Sequence, residues 1–286
     1  MKFTKMHGCG NDYIYVNCFK EDVPDPVSLS IRLSDRRFGI GSDGLILIKP
    51  SEVADFMMDM YNLDGSRGKM CGNGIRCVGK YVYDNGLTDK LNISVETLSG
   101  IKYLEMKAEN GKVESVRVDM GSPVIKPADI PVDTGVFTGD KVVSQKIKVP
   151  VPGIVPNDEV EITCVSMGNP HAVIFVDDAE NAPVHTLGPV LEKSAYFPEQ
   201  SNIEFVQLKG CCEIRMRVWE RGSGETSACG TGACASAMAC ILNGKTRDKV
   251  KVHMNGGDVE IEYDRESDTV FMTGPATKVF DGEIEI

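Results

Sequence analysis

The feature that most restricts how this chain can fold is that it repeats itself. The stretches MCGNGIRCVGKYVYDNG, which contains Cys71, and ACGTGACASAMACILNG, which contains Cys229, share one pattern: Cys-Gly-x-Gly running into an apolar segment that stops at Asn-Gly. The two cysteines lie 158 residues apart (229 − 71), and the same separation aligns much more. Gly10 and Asn11 fall on Gly168 and Asn169, Leu29 and Leu33 on Leu187 and Leu191, and Phe38 on Tyr196. Met58 falls on Met216, Tyr61 on Trp219 and Asn62 on Glu220. Gly72 and Gly74 fall on Gly230 and Gly232, and Asn85 and Gly86 on Asn243 and Gly244. A single register held from residue 10 to residue 86 reads as two copies of one domain. At 286 residues, the chain gives each copy enough length to bury a core.

Within each copy the pattern is of strands around one helix. MKFTKMHG, DYIYVNCF, LILIKP, ADFMMDMYN, NISVETL, IKYLEMKAE and VESVRVDM alternate or cluster apolar residues between turn residues, as do EITCVSM, AVIFVDD, IEFVQL, EIRMRVWE, VKVHMN, DVEIEY and TVFMTG. Segments 27–36 and 184–193 read as short surface helices. Segments 73–84 and 231–242 are apolar almost all round, as a helix enclosed by a sheet must be, and Asn-Gly ends each of them. The expected fold class is α+β: two pseudo-symmetric repeats, each a mostly antiparallel sheet wrapped around a central helix, with an active site in the cleft between them. Residues 121–158, rich in Pro, Gly and Val, read as the connection between the halves.

Charge and cysteine content exclude several functions. A net charge of −11 and a pI near 4.9 argue against nucleic acid or an anionic membrane as partner, while leaving a small zwitterion open. The opening stretch MKFTKMHGCGNDYIYV has no apolar signal-like core, and apolar runs such as LILI at 45–48 are strand-sized, so a soluble cytoplasmic protein is expected. The Cys71–Cys77 and Cys229–Cys234 spacings are wider than those of zinc sites, and no metal is expected. Disulfide frameworks belong to short secreted chains, so most of the ten cysteines are expected to be reduced. Cys18, Cys164, Cys211, Cys212 and Cys240 sit among apolar neighbours and read as small buried hydrophobes.

Cys71 and Cys229 are different. Each opens a helix, where unpaired N–H groups and the dipole stabilise a thiolate and lower its pKa. The following glycines let backbone approach an anion such as a carboxylate. Two such sites suggest one thiol on each side of a bound molecule, an arrangement suited to moving a proton from one face of a stereocentre to the other.

The stretches KMHGCGNDY, NLDGSRGKMCGNGIRC, MGNPHAV, FPEQSNIEFV and ERGSGETSACGTGACA resemble, in order and over nearly the whole chain, the motifs of diaminopimelate epimerases. The resemblance implies a cofactor-independent, two-base epimerase that interconverts LL- and meso-diaminopimelate on the route to lysine and peptidoglycan, working as a homodimer. It implies a first domain of residues 1–120 plus about 275–286, with the last strand returning to it, and a second of residues 121–274. Cys71 and Cys229 match the family's acid/base pair. Gly72, Asn73, Gly230 and Thr231 match the cradle for the α-carboxylate. Asn62, Asn169, Asn202, Glu220 and Arg221 match residues holding the substrate's amino and carboxylate groups, and Asn11 matches a further contact. His171 and Glu220 are expected to help set the protonation of the thiols. Asp64 and Arg67 are expected to order the loop before Cys71. Gly44 departs from the pattern, because family members often carry Gln there. The paired thiols are also compatible with proline-type racemases or a redox-sensing pair, and the cleft alone with a noncatalytic amino-acid-binding protein. Phenazine-type isomerases of similar fold lack the pair.

Overall fold

In the computed structural model, which describes residues 1–285, the alternating runs become strands and the two apolar stretches after Cys71 and Cys229 become helices. The chain forms two compact units, Met1–Asp119 with Thr273–Ile286, and Met120–Met272.

The first unit runs β1 (Lys2–Gly8), β2 (Asn11–Asn17), α1 (Pro26–Ser34), β3 (Gly44–Lys49), β4 (Phe56–Asn62), β5 (Arg67–Gly68), α2 (Gly72–Asp84), β6 (Asn92–Thr97), β7 (Gly100–Glu109) and β8 (Lys112–Gly121). Strands β1 and β2 pair antiparallel, β2 and β3 parallel, β3 and β4 antiparallel, β4 and β6 parallel, and β6, β7 and β8 as an antiparallel meander. The final strand, Thr277–Glu283, lies antiparallel to β1. On α2, Ile75, Cys77, Val78 and Val82 are wholly buried. A Cβ on Gly79 would touch Leu104, Met106 and Val116, and one on Gly74 would strike Ile46, so sheet surrounds the helix on several sides. Alternation along β3 explains the layering, since Ile46 meets α2 while Leu45 and Leu47 pack with Leu29 and Leu33 of α1. Asp25 caps α1 by accepting from the Ser28 amide, and Pro26 supplies its first turn.

The second unit repeats this plan: β9 (Gln145–Lys148), β10 (Glu159–Ser166), β11 (Pro170–Phe175), α3 (Val184–Glu192), β12 (Asn202–Gly210), β13 (Glu213–Glu220), β14 (Gly224–Glu225), α4 (Gly230–Leu242), β15 (Lys249–Met254), β16 (Gly257–Asp264) and β17 (Thr269–Pro275). The pairing senses recur, with β10/β11 antiparallel, β11/β12 parallel, β12/β13 antiparallel, β13/β15 parallel and β15/β16 antiparallel. Both central helices stop as the sequence predicts. Gly86 and Gly244 take φ values of 71° and 65°, and the amides of Leu87 and Lys245 reach back to the carbonyls of Val82 and Cys240.

Two expectations are corrected. Residues 121–158 are not a free connection: Ile130, Val132, Phe137, Val142, Ile147 and Val149 belong to the second unit's core with Leu187, Leu191 and Phe205, and β9 extends the sheet beside β10. The segment's apolar residues have no even periodicity, which hid their burial from pattern reading. Cys164 and Cys240 are buried as expected and Cys18 is partly so, but Cys211 is exposed and Cys212 half-buried, because the pair forms the turn between β12 and β13. No disulfide links any of the ten cysteines. Among the described residues no helix is long and apolar enough to cross a membrane.

Burial of the core thiols ties stability to alkaline pH. Cys77, wholly buried in α2, has its pKa pushed from 9.0 to about 11, chiefly by desolvation. The folded value lies above the unfolded one, so the contribution is complete below pH 9 and is lost as pH rises through about 11. Cys77 alone accounts for about 3 kcal/mol of this loss. Denaturant titrations at pH 8 and pH 11 are expected to show the fall in unfolding free energy, with a shallower pH slope in Cys77→Ala.

Candidate active site

Each of the two cysteines is the N-cap of its central helix. Cys71 (φ −131°, ψ 118°) and Cys229 (φ −118°, ψ 111°) both have extended backbones. Each sulfur lies 3.3 Å from an amide that donates to it, Gly74 N and Gly232 N. A thiol thus occupies the place usually taken by Ser, Thr, Asp or Asn, with helix-end donors aimed at it.

In the first unit the Cys71 thiol donates to Asn11 Oδ1 at 3.2 Å, and Asn73 Nδ2 reaches the same oxygen at 3.5 Å. Asn11 is itself held by Asp43, its Nδ2 2.7 Å from the carboxylate. Burial, followed by the charge of Cys71, raises the pKa of the Tyr13 phenol, which in turn favours the Cys71 thiolate. Gly72 and Asn73 are buried beside Cys71. Asn62 serves the preceding turn, donating to Ser66 Oγ at 3.0 Å. Asp64 accepts from Ser66, and Arg67 pairs with Asp59 at 2.7 Å, so both order this loop.

The second unit surrounds its cysteine with acids. His171 Nδ1 sits 2.6 Å from Glu204 Oε1, both side chains being fully buried, and His171 Nε2 lies 3.1 Å from Asn169 Oδ1. Glu204 Oε2 has no hydrogen-bond partner among the described residues. Glu220 accepts from the Thr226 hydroxyl, with desolvation raising its pKa. The Cys229 sulfur is 3.5 Å from Thr231 Oγ1. Asn202 is locked by backbone, donating to Pro170 O at 2.9 Å and accepting from Arg221 N at 2.9 Å. The Arg221 guanidinium is exposed and donates to Glu199 O at 3.0 Å, leaving other donors available to an anion.

The structure reverses one expectation about the thiols. Helix-end amides do favour the thiolate at both positions, but desolvation outweighs them, and both pKa values lie above the ordinary thiol value. For Cys229 the charges of Glu220 and Glu204 add to the rise and push it well up. Sequence reasoning also missed Glu204, Tyr13 and the buried Arg76. At the 158-residue separation Glu204 stands where the first copy has Ile46, and His171 where it has Tyr13. A buried charge has no periodic signature. The usable signal was the mismatch between copies.

A sequence model of the diaminopimelate epimerase family matches residues 3–126 and 163–279. The chain belongs to the diaminopimelate epimerase family. It is an isomerase, an amino-acid epimerase. Among its relatives, the diaminopimelate epimerase of Agathobacter rectalis is 59% identical over 100% of both chains. That of Methanococcus maripaludis is 53% identical, again over 100% of both. At the level of fold, it is similar to a probable proline racemase from Agrobacterium radiobacter (TM-score 0.72, 16% identity, covering 100% of this chain and 93% of the other). A phenazine biosynthesis protein of the PhzF family from Bacillus anthracis gives a TM-score of 0.70 at 16% identity, covering 100% and 99%.

The structure gives a physical reason for glycine at position 44. A Cβ there would lie 2.1 Å from Tyr61 O and 2.9 Å from Tyr13 Cε1, so the backbone at this position has closed over the space a side chain would need. Gly44→Gln is expected to cost about 1–3 kcal/mol of stability, read by urea denaturation, rather than to add a substrate contact.

Proposed function

We propose that this chain interconverts LL- and meso-diaminopimelate, in lysine and peptidoglycan precursor synthesis, by proton transfer between two thiols and the substrate's α-carbon without pyridoxal phosphate. The observation that carries this reading is the pair of N-cap cysteines, each with helix-end amides on its sulfur, in a member of this family. One cysteine, as thiolate, takes the α-proton and forms S–H. The other, as thiol, gives its proton to the opposite face, and the electron pair left on carbon becomes the new C–H bond.

The desolvation that raises both thiol pKa values suits this task. An α-proton beside an ionised carboxylate is very weakly acidic, and a thiolate in a dry site is a stronger base than one in water. In this reading the amides of Gly72, Asn73, Gly230 and Thr231 receive the α-carboxylate, where helix-end donors offset the charge that develops in the transition state. Arg221 takes a carboxylate through its open guanidinium, and Asn11, Asn62, Asn169, Asn202 and Glu220 hold the remaining polar groups. His171 and Glu220 govern the protonation of Cys229. The family resemblance also brings to this reading a homodimer in the cytoplasm.

Proton NMR of LL-diaminopimelate with the reduced protein in D2O, without added cofactor, tests it. Loss of the α-proton signal with appearance of the meso isomer is the expected result. No exchange in the fully reduced protein would reject the substrate, and proline would be the next candidate.

A further inference from the structure

The two half-sites come from one repeat, yet their charges are opposite. Among the positions near each cysteine that differ between the copies at the 158-residue separation, four change polarity or charge around the thiol: Tyr13 against His171, Ile46 against Glu204, Asn62 against Glu220, and Arg76 against Cys234. The matching of Ile46 with Glu204 is physical as well as numerical. A Cβ on Gly74 would meet Ile46 Cδ1 at 2.7 Å, and one on the corresponding Gly232 would meet Glu204 Oε1 at 2.9 Å. The first copy therefore places a cation in its helix, whereas the second places two carboxylates around its own.

Arg76 is buried at 0% exposure, one turn beyond Cys71. Its Nη1 donates to Gly72 O at 3.1 Å and its Nη2 to Asn73 Oδ1 at 2.9 Å, while Nε donates to Pro275 O at 3.2 Å and Nη2 approaches Cys9 Sγ at 3.7 Å. The guanidinium thus grips both residues of the first carboxylate cradle and holds Asn73, whose amide reaches toward the Cys71 sulfur. A Cβ on Gly8 would lie 3.0 Å from Nη2, so this glycine leaves the space in which the guanidinium sits.

We infer that Arg76 is a positioning residue for Cys71, its buried guanidinium making Cys71 the thiol that ionises first, while Glu204 and Glu220 hold Cys229 protonated. The inference rests on the two-thiol reading for its meaning in catalysis, but the order of ionisation is a property of the protein alone. The groups acting on Cys71 are Tyr13 and Tyr15 from β2, Asp43 through Asn11, and Arg76 and Cys77 from its own helix; of these Arg76 is the cation. The groups acting on Cys229 are Glu220, Glu204 and, through Glu204, His171. Arg76 lowers the Cys71 pKa against the larger effect of burial, and both carboxylates raise that of Cys229. One repeat has thus diverged into two surroundings of opposite charge, with Cys71 the thiol ionised at rest and either thiol able to act as base once it is ionised.

Site-resolved alkylation with iodoacetamide across pH 6–11, read by peptide mass spectrometry on the substrate-free reduced protein, tests this. The midpoint of the pH dependence, rather than the rate, is the observable, because Cys71 is more accessible than Cys229. Wild type is expected to show a lower midpoint for Cys71. Arg76→Gln should raise the Cys71 midpoint by about one unit or more and leave that of Cys229 in place, and Arg76→Lys should restore most of the shift. A wild-type Cys229 midpoint at or below that of Cys71 would overturn the inference even if Arg76→Gln failed to fold. An unchanged Cys71 midpoint in folded Arg76→Gln would do the same. A protein with these midpoints that leaves LL-diaminopimelate untouched would reject the proposed function and keep the role of Arg76.

Discussion

Cys71→Ala and Cys229→Ala are each expected to lower epimerisation by about 10²–10⁴-fold, the usual contribution of a positioned acid or base. The more telling result is what each variant keeps. With one thiol gone, the other can still remove a proton from the face it meets and return it to that face. Each variant is therefore expected to exchange the α-proton of one stereoisomer with D2O without inverting it, and the two variants should act on opposite stereoisomers. NMR of the LL and meso forms with each variant separates this from a one-base route. If both variants exchanged the same isomer, or if either inverted it at close to the wild-type rate, the two-thiol assignment would fail.

His171→Ala is expected to lower the unfolding free energy by about 3–5 kcal/mol near neutral pH, because it leaves a fully buried carboxylate without its partner. Glu204 already has one oxygen with no hydrogen-bond partner among the described residues, so little local compensation is at hand. Burial raises the Glu204 pKa, while the imidazole opposes the rise. Removing His171 moves the folded value further up. A carboxyl with a raised folded pKa is favourable below its unfolded value and becomes costly as pH climbs, so the penalty should shrink toward pH 4 and grow toward pH 8. The double variant His171→Ala/Glu204→Gln, which removes the charge, should recover much of the loss. Chemical denaturation at several pH values reads both effects, and a pH-independent penalty would show that the pair is not ionised.

How far the sequence revealed these features depended on what was repeated. Both central helices, their N-cap cysteines and their Asn-Gly stops were legible because two copies agree at one separation, and agreement at such spacing is hard to produce by accident. The surface helices α1 and α3 start at positions 26 and 184, which keep the same separation. Residues unique to one copy were harder to read. The core residues Ile130, Phe137 and Val142 lie outside the repeat and follow no strand or helix period. Arg76 and Glu204 were invisible for a different reason. Each sits in a run whose apolar neighbours indicate burial but not the charge of the residue among them, and only comparison with Cys234 and Ile46 exposes the exchange. The sign of the thiol shifts was misread because helix-end stabilisation can be inferred from sequence, whereas the depth of desolvation cannot.

The strand that closes against β1 imposes an order on synthesis. Residues 120–272 form a contiguous unit and can complete their sheet as soon as they leave the ribosome. The earlier unit cannot. Its first strand waits for Thr277–Glu283, and the Met1 amine waits for the carbonyl of Ile284, 2.7 Å away. Closing so long a loop brings little extra equilibrium cost, because chain entropy grows only slowly with length, but it delays burial of the first sheet's edge. The nascent first unit thus carries an open hydrogen-bonding edge until Thr277–Glu283 is made, and the middle of the chain is finished before its beginning.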